Sequence, residues 1–297
     1  MFKGTGASSG IGLGKAVVLE EGKPVVQKRM VADREAELER FKGALEAGLR
    51  QTRLMAEELA VRVGEKEAGI LKGHMLLLSD PMLTGEIEAA IRNEAVNSEY
   101  AVERVCDAYG EMFASMEDEL MRQRAVDLRD IKTRLLRLLL GLHGTDPASL
   151  PEGSVIVARD LTPSMTAGID PGKVAGIVTE LGGKTSHSAI LARALEIPAV
   201  VAAEGLLAGV QEGDFLALDG DTGEIYVNPD EETCEACRQK RRAFLEEKQD
   251  LKQYMGRPSV TKDGVRVEIA ANIGKPEDVE RVLACDGEGV GLFRTEF

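Results

Sequence analysis

From residue 32 to residue 142 the chain places an apolar side chain at every third or fourth position, as in Leu38, Phe41, Leu45 and Leu49. That spacing gathers them on one face of an α-helix and predicts helices packed through that face. Gly64, Gly73, Pro81 and Gly85 punctuate the run. A second long helix, or a broken pair, is expected from about residue 98 to 142, closed by Leu135, Leu138, Leu139 and Leu142. After Pro151 the rhythm shortens to apolar runs of three to five residues at 154–157, 176–178, 199–201, 215–218 and 224–227, the length and composition of buried strands. Asp219-Gly220-Asp221-Thr222-Gly223 reads as the loop of a hairpin between the last two. Residues 1 to about 25 supply a glycine turn and one or two strands, Ala16-Val17-Val18-Leu19 among them. The pattern predicts an α/β fold: residues 1–31 and 144–228 make one α/β domain, into which a helical subdomain, residues 32–143, is inserted.

The remainder reads differently. A charged helix is expected at 229–257, opened by Asn228-Pro229 and the acids Asp230, Glu231 and Glu232, and stopped near Gly256-Arg257-Pro258. From Val265 onward the order is strand, helix, strand, with Pro276-Glu277-Asp278 at the helix start.

Net charge narrows the partners. With 37 Lys and Arg against 51 Asp and Glu, the chain carries −14 at pH 7, which disfavours nucleic acid and favours a basic protein partner or none. No apolar run approaches the ~20 residues that span a bilayer. The start lacks the apolar centre of a signal peptide and the four cysteines fit a reducing compartment, so a cytoplasmic location is expected. Cys234 and Cys237 form a CxxC, but no second pair stands at metal-ligand spacing, and both fall inside the charged helix, so they are read as helix-face cysteines and no metal site is assigned. Thr5-Gly6-Ala7-Ser8-Ser9-Gly10-Ile11-Gly12 mimics the dinucleotide turn of short-chain dehydrogenases. That turn needs a buried strand before it and a helix after it. Only four residues precede this one, strand follows, and none of the four tyrosines has a lysine four residues on. The glycines are read instead as a turn between strands.

The candidate chemistry lies in GGKTSHSAILARALEIPAVV, residues 182–201. Gly182 and Gly183 allow close backbone approach to a ligand, Thr185 and Ser186 offer hydroxyls, and Lys184 offers a point charge. An apolar helix follows, with Ser186 placed to cap it. The first turn of a helix has unpaired N–H groups and the positive end of the dipole, so it suits an anion such as phosphate. The same dipole disfavours imidazolium, and a neutral His187 could accept a phosphoryl group. On the residues alone two readings stand, a capped surface histidine or a phosphoryl acceptor. Arg193, two turns on, is read as a surface residue.

This segment resembles the phosphohistidine motif shared by enzyme I of the bacterial phosphoenolpyruvate:sugar phosphotransferase system, pyruvate phosphate dikinase and phosphoenolpyruvate synthase. LTPSMTAGI at 161–169, GEGVGLFRTEF at 287–297 and GTGASSGIGLGKAVVL at 4–19 are each similar to enzyme I, in order along the chain. The alternative, a swivelling domain of a dikinase or synthase, would call for a nucleotide fingerprint that is not visible. The resemblance implies a phosphohistidine α/β domain with an inserted four-helix subdomain that docks the carrier protein HPr. A linker helix and the start of a phosphoenolpyruvate-binding βα barrel, residues 258–297, would follow. It implies that His187 carries the phosphoryl group, that Thr166 orients its ring and that Arg294 contacts the phosphate of phosphoenolpyruvate. Glu65, Glu67, His74, Leu77 and Asp80 match carrier-docking positions. Lys184 stands where the family usually has arginine; Lys66 and Lys72 replace acids, and Pro81 follows Asp80, which leaves carrier specificity open. The Mg²⁺ of the whole enzyme would sit in the barrel, outside this piece. The expectation is therefore phosphoryl exchange between His187 and HPr by a monomeric piece of a homodimer. A noncatalytic module is the other class. The lack of a sensory domain ahead of Met1 leans toward the sugar system.

Overall fold

A computed structural model describes residues 1–19, 24–62, 64–142, 149–274, 276 and 278–293. They fall into two compact units, 1–238 and 239–297.

The first unit begins with three strands, β1 (Phe2–Lys3), β2 (Thr5–Ser8) and β3 (Ile11–Leu19). Five helices come next in sequence: α1 (Arg34–Arg62), α2 (Glu65–Leu78), α3 (Pro81–Glu94), α4 (Ser98–Ala114) and α5 (Glu119–Leu140). β4 (Ser154–Ala158), α6 (Pro163–Ala167), β5 (Val174–Thr179), α7 (His187–Ala194), β6 (Ala199–Val201), α8 (Leu206–Gly209), β7 (Phe215–Asp219) and β8 (Glu224–Val227) follow, and then α9 (Glu231–Lys252), within which the division into units falls.

The eight strands form one mixed sheet in the order β1-β8-β7-β3-β4-β5-β6-β2. β3, β4, β5 and β6 run parallel; the pairs β3–β7, β7–β8, β8–β1 and β6–β2 are antiparallel. β1 and β2 lie at opposite ends of that order, yet Gly4 alone separates them along the chain. The two sheet edges therefore turn toward each other at this residue. A Cβ at Gly4 would stand 2.6 Å from the Val201 carbonyl oxygen, and one at Gly14 would stand 1.9 Å from that of Gly153. The glycines of the opening stretch are thus close-packing positions between strands, and the strand that follows Gly10 removes the dehydrogenase reading.

β4 shows why this sheet reads as continuous apolar runs. Ile156 and Ala158 join a core under α6 and α7, while Val155 and Val157 join a second core on the other face with Leu206 and Leu216. Both faces are covered, so no position needs to be polar. The helices bury their own stripe: Leu38, Phe41, Ile87, Ile91, Leu128, Ile131 and Leu136 are each at most 1–2% exposed. The predicted four helices appear as five because Ser79 and Asp80 break the second; Asp80 caps α3, accepting from Met82 N at 2.8 Å, and Pro81 occupies its first turn. Ala56, Leu59, Ala68 and Leu71 pack with Ala167 and Leu191, so α1 and α2 meet α6 and α7.

Cys234 and Cys237 are buried on the inner face of α9, Cys237 against Ile11 and Ala217, and neither is in a disulfide. In the second unit β9 (Ala270–Ile273) and β10 (Gly289–Phe293) pair in parallel, with α10 (Asp278–Ala284) between them in sequence, a single βαβ unit.

Candidate active site

α7 begins at His187 because Ser186 caps it: the Ser186 Oγ accepts from Ala189 N at 3.4 Å and lies 2.9 Å from Ser188 Oγ. The preceding turn holds Gly182 at φ +97, a left-handed backbone in which a Cβ would press on the Ser186 hydroxyl at 3.1 Å. Arg193 is exposed, as expected, and also holds the loop. Its Nη1 donates to the Ala7 carbonyl and its Nη2 to the Lys184 carbonyl, both at 2.9 Å, so one guanidinium ties the loop to β2.

His187 opens onto a cleft of about 270 Å³ lined also by Val126, Asp160, Leu161, Thr162, Pro163, Gly183, Thr185 and Ser186. Three of the five expected phosphate-binding residues, Gly183, Thr185 and Ser186, face it; Gly182 and Lys184 do not line it, and the exposed Lys184 contributes through its carbonyl to the loop's anchorage. The His187 ring is half-buried, and its Nδ1 is enclosed without a hydrogen-bond partner among the described residues.

Two lining residues carry no sequence signal of their own. Val126 comes from α5, so the inserted helices build part of the cleft. Asp160 follows β4 and accepts from Leu161 N at 2.8 Å. Burial pushes its carboxyl above the usual carboxylate range, although the Leu161 N–H and the nearby His187 and Arg129 pull the other way.

Thr166 lies behind this wall, 4% exposed, its Oγ1 donating to the carbonyls of Pro163 at 2.9 Å and Thr162 at 3.2 Å. Its hydroxyl is turned into its own short helix, away from the role implied for it.

The docking residues divide. His74 has no exposed surface; it sits inside the helical set with Nε2 3.4 Å from Asp127 and Nδ1 3.8 Å from Asp130. Its expected place at a partner surface is corrected, since a fully enclosed ring offers a partner nothing to touch. Leu77 is half-buried against the helical core. The exposed apolar side chains here are Leu76, at 71%, and Met82, at 68%. Glu65 is exposed and paired with Lys72. Asp80 is spent on its cap. The Glu67 side chain and Arg294 lie outside the described residues. Among the described residues no three His, Cys, Asp or Glu side chains gather as metal ligands, and no helix is long and apolar enough to cross a membrane.

Residues 3–124 match the N-terminal domain of PEP-utilising enzymes, 150–223 their mobile domain and 248–297 their PEP-binding domain. Over the whole chain the sequence is 43% identical to a phosphoenolpyruvate-protein phosphotransferase of Priestia megaterium and 41% to that of Bacillus subtilis strain 168. The chain spans 52% of the length of each of these relatives. A solution structure of Enzyme I superposes on 82% of the chain and over all of its own length, with a TM-score of 0.72 at 38% identity. The N-terminal domain of a nitrogen-type Enzyme 1 follows 85% of the chain and is itself fully covered, with a TM-score of 0.55 at 27% identity. The fold and the sequence from end to end place this chain in the enzyme I family of PEP-utilising enzymes.

Proposed function

We propose that this chain carries a phosphoryl group on His187 between phosphoenolpyruvate and a histidine of the small carrier protein HPr, and that it exchanges the group with phospho-HPr by itself. The observation that supports this most is the position of His187, at the first residue of a capped helix, in a cleft with Gly183, Thr185 and Ser186.

The balance is simple. The Nε2 lone pair attacks phosphorus, the bond from phosphorus to the enol oxygen of phosphoenolpyruvate breaks, and the enolate takes a proton to become pyruvate. Later a nitrogen of the carrier's histidine attacks the same phosphorus and the Nε2–P bond breaks. The opening turn of α7 and the hydroxyls beside it supply fixed dipoles toward the transferring oxygens. Mg²⁺ belongs to the barrel half in this reading. The described residues offer no ligand set for it, so no step on this chain is routed through it.

Intact-mass measurement after incubation with phosphorylated carrier tests the assignment. Wild type gains one phosphoryl group, lost in acid and kept in alkali as a phosphoramidate should be; His187→Ala gains none. A retained mass increase in the variant would sink it.

Thr166 is proposed to orient the ring after rotating away from the Thr162 and Pro163 carbonyls, which would give the lone Nδ1 of His187 a partner. Thr166→Val keeps the shape and loses the hydroxyl. Transfer is expected to slow by ~10- to 100-fold in a folded chain, the usual cost of a lost positioning contact; wild-type rates would remove Thr166 from the mechanism.

Docking is assigned to the exposed edge around Leu76 and Met82, with the exposed Glu65 at the other end of α2, an apolar edge and an acid that suit a small basic partner. The chain is proposed to act as a monomer, within a dimeric whole.

A further inference from the structure

A buried line of polar contacts runs from the inserted helices to the front wall of the cleft, and nothing in the transfer chemistry uses it. Asp130 on α5 is 2% exposed. It accepts from Ser164 N at 3.1 Å and from Ser164 Oγ at 2.5 Å. The Ser164 hydroxyl lies 3.2 Å from Thr162 Oγ1, and Thr162 and Pro163 line the same cleft as His187. Four residues before Asp130 on the same helix, Val126 lines the cleft itself. Adjacent turns of α5 therefore reach the site twice, once by direct contact and once through Ser164. Behind Asp130 stands the enclosed ring of His74 from α2, with no hydrogen bond to either nitrogen among the described residues. The hydrogen bonds of Asp130 go forward, to α6.

A buried carboxylate is expensive unless its oxygens are satisfied. Here both are spent on one serine, and that serine directly follows Thr162 and Pro163, which line the cleft with His187. A five-residue helix has little stability of its own, so its place is set by what holds it. We propose that Asp130 is a positioning residue: through Ser164 it fixes the Thr162–Pro163 wall relative to His187, and so sets the distance across which the phosphoryl group passes. This rests on the transfer reading above and adds a residue to it.

The test is a double-mutant cycle on the full chain with Asp130→Asn, Ser164→Ala and both together. Single-turnover transfer from phosphorylated carrier, carrier affinity and the imidazole NMR resonances of His187 in the unphosphorylated protein are measured for each. Each single variant is expected to slow transfer by ~10- to 100-fold, to leave carrier affinity within about twofold, and to shift the His187 resonances. The double variant is expected to be no slower than the slower single one, because both weaken the same link. Ser164→Ala removes the hydroxyl half of the link, keeps the backbone N–H half and leaves the buried carboxylate in place, so it reports even if Asp130→Asn folds poorly. Losses that multiply in the double variant, wild-type transfer in Ser164→Ala, or a loss confined to carrier affinity would overturn the proposal. A wild-type chain that takes no label on His187 counts against the transfer reading instead; the His187 resonances then decide alone, and unmoved resonances in both variants end the positioning role.

Discussion

At the scale of single residues, Asp160 shows how a site departs from what a stable fold would choose. Its carboxyl is held above the ordinary value of 3.8 because burial disfavours the charged form. A raised acid adds stability that is fully present below the ordinary value and is lost as pH rises through the folded value, where the fold must accept the charge. Asp160→Asn cannot ionise. It is expected to melt at a higher temperature than wild type near pH 7, with the gap closing toward pH 3.5; melting curves at the two pH values check this, and a constant gap would contradict it. His187 stood out as a candidate in the sequence because its cue is local, a glycine turn, a cap and an apolar helix in one stretch. Asp160 and Asp130 stayed hidden because their meaning comes from side chains 27 and 34 positions away, His187 and Ser164. Arg193 is at the surface as read, but its two hydrogen bonds were hidden for the same reason: the acceptors belong to a strand near the chain start and to the loop nine residues back.

Elements were more legible than their surfaces. The 3.6-residue rhythm located the helices, and the hairpin of β7 and β8 matched its turn residues, since both signals act over a few positions. Which face of α2 points inward was also written in the sequence. Ala68, Leu71, His74 and Leu78 recur at three- and four-residue spacing, and all four are buried. The resemblance had placed His74 outside, whereas the stripe places it inside. The apolar run from 75 to 83 is less exposed than a docking patch would need, because Leu78 and Leu83 enter the core and Leu77 leans on it. Leu76 and Met82 remain, on either side of the break at Ser79 and Asp80. Leu76→Asp and Met82→Asp are each expected to weaken carrier binding by about tenfold or more with little change in melting temperature, while Leu77→Asp is expected to destabilise the helices themselves. NMR titration with carrier reads the first and thermal unfolding the second. Shifted amides clustering away from α2 and α3 would relocate the docking face.

At the scale of the whole molecule, a mixed α/β fold with helices inserted between two strands was foreseeable from the change of period at Pro151. Sheet order was not, since it depends on how strands far apart in sequence pair; the meeting of the two sheet edges at Gly4 had no local cue beyond the glycine itself. The insertion has a consequence for the route by which the protein reaches this state. β3 and β4 are hydrogen-bonded neighbours, Lys15 beside Ser154 and Leu19 beside Ala158, yet five helices are threaded between them. While those helices are unfolded, joining the two strands means closing a loop of well over a hundred residues, an entropic cost of roughly 4 kcal/mol before any pairing is gained. Packing the helices first removes part of that cost. The parallel centre of the sheet should therefore form late, behind the helical core. Ile91→Ala, in the helical core and 0% exposed, is expected to slow the appearance of sheet protection in pulsed hydrogen exchange as well as that of its own helices. Sheet amides protected at the wild-type rate would show that the two halves fold independently. On this route the wall of the cleft that α5 supplies is in place before the strand that brings His187 to it.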